Sequence, residues 1–373
     1  MFKLSSRRYT GAKTKLLNHI DSVFLRHLSA LQDTQNLSFF DVFAGTGVVS
    51  EYFMRHYGAD FNVADLQGKN ADKKADKKPR FTRFILNDFL HSNYAIYKGF
   101  FGGESFDNAK LWHIAKSYNA LNVAKIPANY YTHSFGNLFF SEADSSIIGH
   151  IRNDLDALLD AGKITQKEFF ILLSSLIYSA DRVANTVGHY DAYRKNIALQ
   201  DKFKFELIEP LQNTCEVDIF RADSNALAVD FVSQNRQIDI AFIDPPYNSR
   251  QYARFYHLLE TLSKNNKPKL YGVAKKPTPE NVSLYCKSEA KEAFSDLVVN
   301  LVKCAKILLV TYNNTYSSKS TSSQNKISLE QITQILESHG TTHKYEFDFK
   351  AFSTGKTEFS NHKEMIFLCE IYM

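Results

Sequence analysis

The 373-residue sequence predicts an α/β fold in which a largely parallel sheet is interrupted by a mostly helical insertion. Three observations carry this prediction. An apolar run, Leu37 to Phe43, passes through the glycine turn of DVFAGTG into a helix-patterned segment that ends near Gly58. From about Tyr94 to Phe205 apolar residues recur at intervals of three and four, the period of helices packed on one face. Strand and helix patterns then alternate again in CEVDIFRADSNALAVDFV, IDIAFID and KCAKILLVTYNN.

Along the chain, the strand–turn–helix unit of residues 37–58 is followed by KNADKKADKKPR, residues 69–80, whose charge density predicts a solvated loop. RFTRFILNDFL restores a strand that ends at Asn87-Asp88. The helix pattern SSIIGHIRNDLDALLDAGKITQKEFFILLSSLIYSADRVAN dominates the insertion, and the predicted division is a sheet domain of residues 1–95 and 211–373 around a helical domain of 96–210. A helix, SLEQITQILESHG, and two terminal strands, HKYEFDFKAF and HKEMIFLCEIYM, close the chain. SSKSTSSQN, residues 317–325, reads as a mobile surface loop.

Composition narrows the class. Lys plus Arg number 45 against 40 for Asp plus Glu, a formal net charge of +5 that favours an anionic partner without identifying one. Cys215, Cys286, Cys304 and Cys369 are scattered, with neither zinc-ligand spacing nor a secretory disulfide pattern. The first residues, MFKLSSRRYTGAK, lack the apolar stretch of a signal peptide, and no run approaches the length of a membrane span. A cytoplasmic, reducing setting is expected.

In DVFAGTG, Gly45 and Gly47 leave the backbone free of Cβ atoms where a strand enters a helix, so a nucleotide-like ligand could approach the helix N-terminal amides. A dinucleotide fingerprint would need a third glycine where Ser50 stands, and the Gly-Lys-Ser/Thr of a P-loop is absent. An acid at the end of the next strand would accept hydrogen bonds from a ribose diol. Asp65 lies nearer the usual spacing of ~20 residues, whereas Asp88 follows the better strand and is preferred. Either acid could instead cap a following helix.

QIDIAFIDPPYNSRQY places Asp244, Pro245, Pro246 and Tyr247 at the carboxyl end of a buried strand, the edge where open α/β sheets bind ligands. The two prolines stiffen the backbone and supply no N–H, so an acceptor array is left for an NH2 group. Asp244 can take one amino hydrogen and the Pro245 carbonyl the other, which draws an exocyclic amine out of conjugation and exposes its lone pair. Tyr247 would stack on the face of the base. The competing interpretation is a strand end with a proline turn and a core tyrosine.

FAGTG followed by DPPY, with RRYTGAKTKLL ahead of both, resembles the adenine-specific DNA methyltransferases of the Dam-like or D12 class, including FokI-type modification methylases. The resemblance covers residues 1–95 and 215–373 and implies a Rossmann-like, S-adenosyl-L-methionine (AdoMet) dependent methyltransferase sheet with an antiparallel terminal β-hairpin. It implies that Tyr9, Gly11 and Lys13 help enclose AdoMet, that Phe43, Ala44, Gly45, Thr46 and Gly47 surround its methionine part, that Asp88 binds the ribose and that Asp223 meets its adenine. Asp244, Pro245, Pro246 and Tyr247 would grip an adenine flipped from duplex DNA.

In this class, target recognition falls between the second-strand motif and FRADS, and ADRVANTVGHYDAYRK there interleaves basic and aromatic residues suited to phosphate contact and base readout. Arg182, His189, Tyr190, Tyr193, Arg194 and Lys195 are the candidates, with Arg250 and Arg254 of SRQYARFY beyond the catalytic motif. The same chemistry on cytosine N4, RNA guanine N2 or a protein glutamine amide remains open, as does a non-catalytic nucleic-acid-binding module. A cognate restriction endonuclease is a possible partner, but whether one exists is not legible in these residues, nor are the recognition sequence and oligomeric state.

Overall fold

A computed structural model of the chain describes residues 3–59, 78–315, 324–348 and 362–372. The alternative ribose acid Asp65 lies outside them, as do most of the charged stretch 69–80 and of the serine-rich stretch 317–325. Two compact units are formed. One comprises Ala12–Phe89, Asn213–Gln251 and Val282–Met373, the other Met1–Gly11, Leu90–Gln212 and Tyr252–Asn281.

The first unit is built on the strands β1 (Leu37–Asp41), β2 (Phe81–Asn87), β3 (Glu216–Phe220), β4 (Ile238–Ile243), β5 (Ala305–Asn313), β6 (Gly340–Asp348) and β7 (Lys363–Ile371). Their order across the sheet is β3-β2-β1-β4-β5-β7-β6, with β1 to β5 parallel and β7 antiparallel to both β5 and β6. This is the Rossmann-like methyltransferase sheet with its terminal hairpin. The order reverses between β1 and β4, the switch point at which such sheets open a ligand crevice at their carboxyl edge.

Side chains alternate across the sheet with the period of two that a strand imposes. Phe39 packs at 4.8 Å on Phe53 of α2 (Val48–Tyr57), which in turn meets Phe24 of α1 (Leu17–Arg26) at 5.5 Å. Phe40 points to the opposite face, where it joins Leu227, Ala228 and Phe231 of the helix Ser224–Ser233 and Phe294, Leu297 and Leu301 of the helix Ala290–Leu301. Cover on both faces leaves β1 and β4 buried along almost their whole length, whereas exposure alternates along the edge strand β6.

Asn87 ties three strand ends together. It is completely buried, its Nδ2 donates at 3.2 Å to the carbonyls of Val42 and Ala222 and to Ser224 Oγ, and its Oδ1 accepts the Ala222 N–H at 3.0 Å.

The second unit is helical and centres on the helix Gln166–Val183, most of whose residues are buried and whose start is fixed by a Thr165–Glu168 capping box. Against it packs the helix His91–Phe100, held at both ends by opposite charges. Glu260 accepts the N-terminal amides of His91 and Ser92 at 3.0 and 2.8 Å, and Lys167 Nζ donates to the carbonyls of Lys98 and Gly99 at 2.9 and 3.1 Å. Both contacts satisfy groups that a helix terminus leaves unpaired.

The unit is larger than the 96–210 insertion read from the sequence. Residues 3–11 belong to it because Arg8 donates to the carbonyls of Ala184 and Arg182 and the Tyr9 ring stacks on Tyr256 at 4.8 Å and Tyr252 at 5.4 Å. No helix among the described residues is long and apolar enough to cross a membrane.

Replacing Asn87 by Leu keeps the branched shape but leaves several buried polar atoms without partners, each costing about 1–3 kcal/mol. Asn87→Leu is therefore expected to lower the unfolding free energy by roughly 3 kcal/mol or more in denaturant melts; a loss within about 0.5 kcal/mol would mean that the strand ends are held without it.

Candidate active site

The parallel register sets Asp41 of β1 beside Phe242 of β4, so the glycine turn leaving β1 and the Asp244 segment leaving β4 emerge side by side. Ser38 locks this register, since its N–H and hydroxyl both donate to Asp239 Oδ2 at 2.8 Å while its Oγ accepts the Asp239 N–H at 2.9 Å.

Gly45 and Gly47 have φ of 53° and 79°, left-handed values that a side chain at either position would strain. The turn is fastened to the neighbouring strand end: the Gly45 N–H donates to Asp88 Oδ2 at 2.9 Å and the Ala44 N–H to the Asn87 carbonyl at 2.9 Å. Thr46 is buried, and the Phe43 ring meets Tyr285 edge-on at 5.0 Å. Asp223, exposed at the end of β3, caps the helix Ser224–Ser233 through Oδ1, which accepts from the amides of Asn225 and Ala226 at 3.0 and 3.1 Å.

Asp244 is held by three side chains. Its Oδ1 accepts from Tyr247 Oη at 2.7 Å and from Thr311 Oγ1 at 2.8 Å, and its Oδ2 pairs with Lys13 Nζ at 2.8 Å. Lys13 is itself buried and lies 4.9 Å from the Tyr247 ring centroid, within cation–π range. Burial, followed by the negative charges of Asp244 and Glu364, pushes the Tyr247 phenol well above its ordinary range, so it remains a donor. Pro245 is buried and Pro246 half-buried, while the Tyr247 carbonyl accepts from the Lys326 N–H at 2.8 Å and from Tyr312 Oη at 3.3 Å.

A third carboxylate was missed in the sequence because it sits inside an apolar strand run. Asp41 is 1 % exposed; its Oδ2 accepts from Ser50 Oγ at 2.8 Å, and its buried Oδ1 has no hydrogen-bond partner among the described residues. Its carboxyl is pushed up to about 7, chiefly by burial, opposed by the Ser50 hydroxyl and reinforced by the charges of Asp244 and Asp88. Thr311, fully buried in β5, was missed for the same reason. The only signal either offered was a polar residue interrupting an apolar strand.

Of the nucleic-acid candidates, Tyr190 is corrected. It is 1 % exposed, its hydroxyl donates to Asp181 Oδ1 at 2.7 Å, and its ring packs among Phe139 and His257, so it is a core residue of the helical unit and not a surface reader. Arg182 is exposed and forms a two-bond pair with Glu206, both at 2.6 Å. His189 stacks on Phe255 at 4.5 Å, Tyr193 is half-buried edge-on to Phe139, and Arg194 and Lys195 are exposed. Arg250 is half-buried and lies in the sheet unit, and Arg254 is exposed in the helical unit.

A switch-point sheet whose first strand ends in a glycine turn and whose fourth ends in Asp-Pro-Pro-Tyr defines a methyltransferase-class α/β domain. Residues 73–335 match the family model of the D12 class N6 adenine-specific DNA methyltransferase, and the chain belongs to that family. It is 30% identical over 319 residues to the modification methylase LlaI of Lactococcus lactis subsp. lactis, covering 82% of this chain and 46% of that protein. Against the type II methyltransferase M.FokI of Planomicrobium okeanokoites it is 28% identical over 96% of this chain and 52% of that protein, so it spans about half the length of these two relatives. The type II methyltransferase M.NlaIII of Neisseria lactamica is 26% identical, with 95% of both chains covered.

A carboxyl whose folded value, about 7, lies above its ordinary 3.8 binds more protons in the native state than in the unfolded state between those values. The stability that Asp41 contributes is therefore present below pH 3.8 and falls as pH rises to about 7. The melting temperature of wild type minus that of Asp41→Asn is expected to decrease from about pH 5 to about pH 8. A pH-independent difference would show that Asp41 keeps its ordinary acidity.

Proposed function

We propose that this chain transfers a methyl group from AdoMet to N6 of an adenine flipped out of a specific duplex DNA sequence, as a restriction-modification methylase. The observation that carries the reading is Asp244, held by Thr311, Tyr247 and Lys13 at the end of the strand next to the glycine turn.

The chemistry of this edge suits AdoMet. Asp41, Asp88 and Asp244 lie close enough that the latter two raise the pKa of the first, and one buried carboxylate oxygen, Asp41 Oδ1, has no hydrogen-bond partner among the described residues. Such a carboxylate-rich crevice favours a ligand with positive charge and hydroxyl donors. Gly45 and Gly47 would admit the methionine part, with Phe43, Ala44 and Thr46 shaping the same turn; Asp88 would face the ribose and Asp223 the adenine. When bound, AdoMet supplies an electrophilic sulfonium methyl group.

The chain's own residues then act on the amine. Asp244 and the Pro245 carbonyl would each accept one N6 hydrogen, which holds the nitrogen lone pair out of the ring's conjugation and directs it toward the crevice. Pro246 keeps the acceptor pair stiff, and the Tyr247 ring supplies a stacking face for the base. The helical unit would provide target recognition, with Arg182, His189, Tyr193, Arg194 and Lys195 as contacts and Arg250 and Arg254 flanking the catalytic motif. A cognate nuclease and a cytoplasmic site of action accompany this reading.

Transfer of labelled methyl groups from AdoMet to duplex DNA, RNA and protein separates the alternatives: incorporation into duplex DNA as N6-methyladenine is expected, and incorporation into RNA or protein alone would overturn the assignment. Asp244→Ala is expected to cut turnover by at least roughly a thousandfold while AdoMet affinity stays within about threefold, because the acid works on the base and not on the cofactor. Equal losses of both would place Asp244 in the cofactor site instead.

A further inference from the structure

The side chains of the base clamp bond one another. Asp244 Oδ1 accepts two hydrogen bonds, from Tyr247 and Thr311, which saturates the two lone pairs of that oxygen, and Oδ2 carries the Lys13 ammonium. Among the described residues one lone pair of Oδ2 is left, and an amine that is to donate to Oδ1 must displace one of its two donors.

The two donors on Oδ1 differ in their freedom to leave. Thr311 lies within β5, is fully buried, and is flanked by Val310 paired to Ile243 of β4 and by Tyr312 paired to Met365 of β7. Its β-branched side chain has little rotamer freedom, and the strand cannot move without breaking two ladders. Tyr247 lies beyond the end of β4 and is half-buried; turning its ring breaks the contacts with Tyr312 at 4.5 Å and Lys13 at 4.9 Å but no strand ladder. Its hydroxyl cannot stay 2.7 Å from the acid that grips the base edge while its ring lies flat against the base face.

We propose that Thr311 is a positioning residue, the permanent hydrogen-bond donor that keeps the Asp244 carboxylate aimed, and that the Tyr247 hydroxyl is an exchangeable donor which the target amine displaces as the ring turns to stack. The proposal rests on the amine-methylating reading above and adds two things to it. It assigns a role to a strand residue outside the catalytic motif. It also makes the resting site a latched one, in which the aromatic residue protects the acid until a base replaces it. A hydrogen bond to a charged group contributes enough to make the loss of Thr311 Oγ1 visible as roughly a 10- to 100-fold effect.

Kinetics on duplex DNA, with thermal melts run alongside, test the first half. Thr311→Val, which keeps the shape and removes the hydroxyl, is expected to lower kcat by roughly 10-fold or more with AdoMet affinity and melting temperature nearly unchanged, and Thr311→Ser is expected to recover most of the loss. A residue that only packs would be indifferent to valine, and serine, which lacks the buried methyl, would then be the damaging variant. For the second half, the methylated adenine is located by sequencing and replaced in a duplex probe by 2-aminopurine, which lacks the N6 amine and so reports eversion and stacking of the base, the step that breaks the Tyr247 bond. Tyr247→Phe, freed of the hydroxyl bond to Asp244, is expected to bind this probe more tightly and with brighter fluorescence than wild type, whereas Tyr247→Ala is expected to bind it more weakly. Wild-type activity on DNA with Thr311→Val indistinguishable from it would overturn the positioning role alone. Fluorescence and affinity of Tyr247→Phe at or below wild type would overturn the latch. Wild type that methylates no nucleic acid would overturn this inference together with the function on which it rests.

Discussion

The parallel pairing of β1 with β4 is the constraint on which the site depends, because it alone brings a glycine turn and an Asp-Pro-Pro-Tyr segment, some two hundred residues apart in sequence, to one edge of one sheet. A register slip of one residue would turn every side chain of β1 to the other face and carry Asp41 away from the crevice. Two polar devices oppose that slip. Ser38 and Asp239 exchange hydrogen bonds across the pair, and Asn87 stitches the ends of β1, β2 and β3 from inside the sheet. Hydrophobic burial on both faces makes the sheet stable, but it is indifferent to small shifts; the hydrogen bonds supply the direction.

Once the strands are set, the edge collects negative charge. Asp41, Asp88 and Asp244 lie near enough for the charges of the latter two to raise the Asp41 carboxyl, and since buried like charges repel, each needs compensation. Each acid is given its own donor: Ser50 for Asp41, the Gly45 amide for Asp88, and Lys13, Thr311 and Tyr247 for Asp244. Asp41 is the least compensated of the three, and burial accordingly dominates its shift.

The helical unit follows a different economy. Its central helices are stapled by charges placed at helix ends, Glu260 at the start and Lys167 at the end of His91–Phe100, where backbone groups would otherwise lack partners. Burial pushes the Lys167 amine down to about 8, a cost accepted in return for satisfying several carbonyls at once. Tyr190 and Asp181 add a buried hydrogen bond to this unit, and an aromatic residue in a basic surface-like stretch is thereby core.

Legibility divided along physical lines. Local patterns determined much of the protein: the alternation of strands and helices, the helical character of the middle third, the terminal hairpin and the two motifs were all readable, because periodicity, glycine turns and proline stops act over a few residues. Asp244 and Gly45 could be singled out as candidates from sequence since their neighbours are so unlike ordinary strand ends. Strand order, the membership of residues 3–11 and 252–281 in the helical unit, the pairing of Lys13 and Thr311 with Asp244, the orphaned oxygen of Asp41 and the burial of Tyr190 were decided only by the folded chain. Each of these depends on which distant segment lies opposite, and a side chain's partner across a sheet or between helices leaves no mark on the residues beside it in the chain.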